Sequence, residues 1–291
     1  MTASAYHLFE DLYQRRGNLA KQSIKADKLA LKDALVACVG GRGKFPDMVL
    51  RVNHGDPDFS GGELIEIKDA ETSYNIAPFN STIPTGVKRM AEVAKQGGGI
   101  YNKLQKIEGD PHKNPLREVY YLIRGMKNGR TKVCLVHGLF FETIAVDENI
   151  KGTVAQAVAE AAQDSHGLDD AAPQQASKTI AALNWKQEHM SKTRITPGAA
   201  VGIRYRTMAG AVADANILNR GKYPQIKDDT LNMIVPAHAS AQGAAADAKA
   251  AQTALMEKAF EVGKGKLPAN ISVFEMKHLL NGPFVVFQAP L

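Results

Sequence analysis

The chain has 291 residues, 44% apolar and 23% charged, enough for one large or two modest domains with a sizeable core. Its two cysteines, Cys38 and Cys134, exclude a disulfide framework or a four-cysteine zinc site, and no run nears the ~18 consecutive apolar residues of a membrane span. The net charge of +6 leans toward an acidic partner such as nucleic acid, and Met1–Glu10 lacks the basic-then-apolar pattern of a signal peptide, so a cytoplasmic protein is expected.

Apolar spacing predicts a helix over 5–15, with Leu8, Phe9, Leu12 and Tyr13 on one side. A second helix is expected over 23–38, with Ser23 as N-cap, Ile24, Leu31, Leu35 and Cys38 inward, and Gly40-Gly41 as its stop. Basic residues dominate from Arg15 to Lys44, and Lys25, Lys28 and Lys32 would share one face of that helix. Such a strip is either a solvated face or a phosphate contact. Two strand-like runs follow, 45–52 and 63–69, joined by a loop over 53–62 rich in Gly, Asp and Pro.

A polar loop spans 70–86. Helices are expected over 87–96, stopped by Gly97-Gly98-Gly99, and over 100–108. Strands at 118–124 and 131–137 are linked through Asn128-Gly129, a strong hairpin signal. Further on, helices are expected over 152–163, 176–190 and 241–262, a linker over 163–175, and strands at 199–207 and 284–288. The pattern predicts an α/β (α+β) protein. It is organised either as one continuous domain or as a core over 1–150 with a mostly helical extension over 151–291.

The chemistry-bearing residues fall on the first hairpin. Asp47 follows Pro46 at the start of one strand, and Glu66 and Lys68 lie on the next. Side chains alternate across a strand, so Glu66 and Lys68 share a face opposite Ile65 and Ile67. A charged pair interrupting an apolar run in a central strand calls for a reason. With the right register, two carboxylates and a lysine converge. Hard anionic oxygens suit Mg²⁺, a metal-activated water suits phosphodiester hydrolysis, and a lysine beside them orients that water and offsets developing charge. The backbone carbonyl of Ile67 is a further ligand candidate.

Pro46-Asp47 followed by Glu66-Ile67-Lys68 on an apolar strand resembles the PD-(D/E)XK nuclease superfamily, which includes most type II restriction endonucleases. The likeness is tight over 45–69 and extends in element order over 1–145. It implies a central mixed sheet flanked by helices, Mg²⁺ as cofactor, and 5′-phosphate products. Asp47 and Glu66 become metal ligands and Lys68 the water-positioning residue. Glu10 on the first helix could add a carboxylate, as an N-terminal helix does in some relatives.

Competing patterns exist. Pro57-Asp58 sits in a loop with no apolar strand behind it. Glu275-Met276-Lys277 has no convincing upstream aspartate and could belong to a helix. Gly40–Lys44 resembles half a phosphate loop, but Phe45 stands where Ser or Thr is needed.

For reading DNA, the loop after the second strand offers Tyr74, Asn75, Asn80, Ser81 and Thr82, then Lys88 and Arg89, types that reach base edges. Arg204 and Arg206 are phosphate-contact candidates. The expected function is a type II restriction endonuclease acting on double-stranded DNA as a homodimer, with a methyltransferase partner in the cell and no membrane association. The alternatives are a repair or junction nuclease of the same superfamily and a non-catalytic DNA-binding protein.

Overall fold

The computed structural model describes residues 4–26, 28–29, 31, 35–40, 45–53, 56, 58–76, 79, 84–142, 156–157, 160–161, 175, 178–179, 182, 194–195, 203–204, 213–237, 245–262 and 265–291. In chain order these give α1 (Ser4–Gln14), α2 (Arg16–Leu19), β1 (Val36–Val39), β2 (Met48–Leu50), β3 (Leu64–Ala70) and β4 (Val87–Arg89). Then come α3 (Met90–Val93), α4 (Gly99–Glu108), β5 (Leu116–Lys127), β6 (Arg130–His137), β7 (Arg194–Ile195) and β8 (Ile203–Arg204). The last elements are β9 (Thr230–Pro236), α5 (Ala245–Val262), β10 (Ser272–His278) and β11 (Gly282–Pro290).

The apolar runs assemble into one nine-stranded mixed sheet in the order β1-β2-β3-β5-β6-β9-β11-β10, with β4 pairing the start of β5. The pairs β3·β5 and β6·β9 are parallel and the others antiparallel. The β5–β6 hairpin turns at Asn128 (φ 52°) and Gly129 (φ 73°), the two left-handed residues that a tight hairpin requires. Helices α1 and α5 cover one face. Leu8, Phe9 and Leu12 of α1 and Met256, Ala259 and Phe260 of α5 bury themselves against Met48, Ile65, Leu122, Leu135, Met233 and Val285. Loop aromatics line the other face, where Phe79 and Phe141 pack edge-on against Tyr121 at 5.2 and 5.0 Å.

Several expectations are corrected. The helix expected over 23–38 is overturned at its end: Val36–Val39 form β1 against β2, because a β-branched apolar run beside a sheet edge gains more from pairing than from helical propensity. Ser23 Oγ accepts from the Lys25 amide at 3.3 Å, but that turn does not lead into the expected helix. The Ser23 hydroxyl and the Ile24 amide both donate to Asp69. The helix expected over 87–96 is a three-residue strand followed by the one-turn α3. Glu275-Met276-Lys277 lies on β10, not on a helix.

The mostly helical extension expected over 151–291 is not what the described residues of 210–291 form. They supply β9, β10 and β11 to the same sheet, alongside α5. The apolar runs 230–236 and 272–278 have strand length and pair side by side with β11. By contact density, 1–142 and 210–291 make one compact unit and 143–209 a second. In the second, Arg194 pairs with Arg204 and Ile195 with Ile203. The helices expected over 152–163 and 176–190 lie for the most part outside the described residues, and so does the linker between them. Among the described residues no helix is long and apolar enough to cross a membrane.

Candidate active site

β2 and β3 run antiparallel, with Met48 opposite Ile65 and Val49 opposite Leu64. Continuing that register by two residues sets Pro46 opposite Ile67. Proline has no N–H to offer the Ile67 carbonyl. The Ile67 N–H is taken by a side chain, donating to Asp47 Oδ2 at 2.8 Å. The Pro-Asp pair therefore ends the backbone ladder and turns a carboxylate toward the next stretch of β3.

Glu66 and Lys68 project from the face of β3 opposite the α1 layer. Lys68 Nζ donates to Glu66 Oε1 at 3.0 Å and stands 5.4 Å from the centre of the Phe79 ring. Glu66 is only 5% exposed. Its second oxygen, Oε2, is buried with no hydrogen-bond partner among the described residues. Burial pushes the Glu66 carboxyl above the ordinary range, Lys68 opposes that, and the nearby Asp47 charge reinforces it. Burial likewise pushes Asp47 up, against the pull of the Ile67 amide and Lys68.

Each carboxylate is thus pinned through one oxygen and repelled by its neighbour, an arrangement that a divalent cation relieves. The residues fit such an ion. Glu66 Oε2, the second oxygen of Asp47 and the Ile67 carbonyl are the groups that could hold it. Mg²⁺ needs only one or two carboxylates and keeps several waters. Among the described residues no group of three or more His, Cys, Asp or Glu could share an ion, so Asp47 and Glu66 stand as a pair. Glu10 is buried on α1 and accepts from Gln14 Nε2 at 3.2 Å.

The residues expected to read DNA divide. Tyr74 is buried, its hydroxyl donating to Asp228 Oδ1 at 2.9 Å and its ring lying under Lys132 and Arg220. That contact ties the loop after β3 to the segment before β9. Asn75 and Arg89 are exposed. Lys88 is half-buried, and burial lowers its ammonium against the opposing charges of Glu92 and Glu142. Arg204 lies on β8. Asn80, Ser81, Thr82 and Arg206 lie outside the described residues. Among the competitors, Asp58 pairs with Lys258.

Three residues of this face were not singled out from the sequence. Phe79 and Tyr121 wall the Glu66–Lys68 pair. Lys132, on β6, is almost fully buried, with Nζ 3.8 Å from Asp228 Oδ1, and burial lowers its ammonium. Only the strand alternation that placed Glu66 and Lys68 could have sorted Tyr121 from Tyr120. No family model, no curated protein and no solved structure matches the chain.

Proposed function

We propose that this protein is a Mg²⁺-dependent, site-specific endonuclease of double-stranded DNA, of the type II restriction kind, acting as a homodimer. The reading is carried by one observation. Asp47, Glu66 and Lys68 converge on one face of a mixed sheet, with the Asp47 carboxylate bonded to the Ile67 amide. Asp47, Glu66 and the Ile67 carbonyl would hold the ion. When bound, Mg²⁺ supplies Lewis acidity to a phosphate oxygen and lowers the pKa of a coordinated water. The Lys68 ammonium, fixed by Glu66 Oε1, has two further N–H donors with which to orient a water or meet negative charge on phosphorus. Phe79 and Tyr121 keep bulk water from this face and strengthen those interactions. The surplus of basic residues favours a polyanionic substrate.

The test is digestion of unmethylated phage DNA in Mg²⁺ and in EDTA, beside Asp47→Ala and Lys68→Ala. Discrete fragments in Mg²⁺ alone, lost in both variants, support the reading. A smear keeps the nuclease but points to repair or unspecific cleavage. Absence of cleavage across several DNA substrates, or cleavage by either variant at the wild-type rate, overturns it.

A further inference from the structure

Two buried polar atoms on this face lack partners, and they sit on adjacent strands. In the parallel β3·β5 ladder, Glu66 is the Cα partner of Tyr121. Registered neighbours project to the same face of a sheet, so the Glu66 carboxylate and the Tyr121 phenol stand side by side. Tyr121 is fully buried. Its ring is held by Phe79 and Phe141, at 83° and 72° to it. The Thr85 backbone N–H is directed at the phenol oxygen, which leaves the phenol's own O–H to find an acceptor. Yet among the described residues nothing reaches its oxygen in hydrogen-bonding geometry, and the same holds for Glu66 Oε2.

Buried polar groups almost always find a partner. Two orphans at registered neighbours, one an O–H donor and the other an anionic acceptor, are the groups that a shared third partner would bond. Glu66 Oε1 is already committed to Lys68, so Oε2 is the oxygen left to face an ion. Mg²⁺ retains part of its hydration shell when held by so few carboxylates. Groups that hydrogen-bond the shell of a metal site orient it and strengthen binding.

We propose that Tyr121 is a positioning residue for the divalent-cation site. Its hydroxyl bonds a water in the shell of the cation held by Asp47 and Glu66, next to Glu66 Oε2. The inference rests on the function proposed above and extends it to a residue that touches neither the DNA nor the ion. It accounts for a tyrosine, rather than a phenylalanine, inside an otherwise aromatic wall.

The experiment titrates the full chain with Mg²⁺, and with Mn²⁺ followed by electron paramagnetic resonance, without DNA. It compares wild type, Tyr121→Phe and Asp47→Asn. Tm in EDTA is measured for each. The expected result is a cation affinity weakened about ten-fold or more in Tyr121→Phe, with Tm in EDTA unchanged or raised because the ring packing is kept and an unpaired hydroxyl is removed. Equal affinity in wild type and Tyr121→Phe overturns the role of Tyr121 and leaves the Asp47–Glu66 pair standing. A lower Tm in EDTA for Tyr121→Phe also overturns it, since the hydroxyl would then have a protein partner. Failure of the wild type to bind either ion, with Asp47→Asn indistinguishable from it, removes the cation site itself and both proposals together.

Discussion

The tripeptide Glu-x-Lys occurs on two strands of the same sheet, and the two copies differ in everything but sequence. On β3, an interior strand between β2 and β5, Glu66 and Lys68 are largely buried, bonded to each other, and joined by Asp47. On β10, at the sheet's edge, Glu275 and Lys277 are exposed and lie opposite Val285 and Pro283. At the edge the charges are hydrated and serve to discourage strand-on-strand association. In the interior the same charges are costly unless they meet a partner. What turns a common charge pair into a candidate site is the strand's position in the sheet and a third group from its neighbour.

The largest expected effect breaks or keeps that contrast directly. Lys68→Ala or Glu66→Gln should lower the single-turnover cleavage rate by about 100-fold or more. Lys277→Ala and Glu275→Gln should leave it within about two-fold, as exposed substitutions do. Equal losses at both strands would dissolve the distinction.

A second test asks whether burial alone makes a carboxylate functional. Glu63, just before β3, is fully buried on the α1 side and accepts from the Ala5 amide at 3.3 Å. Burial pushes its carboxyl from 4.5 to about 7. The folded state therefore holds this proton more tightly than the unfolded state does. Its contribution is complete below pH 4.5 and is lost as the pH rises through 7. The loss is at most about 3 kcal/mol. His137 acts oppositely: burial lowers it to about 3, so the unfolded chain gains a proton that the fold does not, and stability falls as the pH drops from 6.5 toward 3. The Tm difference between wild type and Glu63→Gln isolates the first slope. That difference should favour the wild type at pH 5 and shrink by pH 8, without effect on cation binding.

Smaller effects come from the surroundings of the site. Tyr74→Phe deletes the bond to Asp228 and should cost about 1 kcal/mol in urea unfolding. Cleavage should fall only if the loop after β3 needs that tether. Smallest of all, Glu275→Ala should shift stability by less than about 0.5 kcal/mol.

The hairpin at 45–69 was legible because its signals agree: a proline start, a Gly/Asp loop, and charges that break an apolar strand at alternate positions. The β5–β6 hairpin was legible through Asn128-Gly129. β1 was not, because Ile24, Leu31, Leu35 and Cys38 happen to fit helical spacing while Val36–Val39 is only four residues long. No strand was expected over 230–236, where Asn232 interrupts the apolar run. That side chain is paired to Val133, Thr230 and Gln288 across three strands, so its cost appears only in the sequence and not in the fold. The Asp47–Glu66–Lys68 grouping could be read from the sequence. The orphaned hydroxyl of Tyr121 could not, since an unpaired atom is a property of what surrounds it.

The bond from the Ile67 amide to Asp47 makes one backbone proton a witness to the state of a carboxylate. A hydrogen bond to an ionised acceptor is stronger and shorter than one to a neutral acceptor. The ¹H and ¹⁵N resonances of Ile67 should therefore move when Asp47 gains a proton or shares its charge with a cation. A single peak in an NMR spectrum would then follow the occupancy of the site in the intact protein, with no DNA present and no side chain altered.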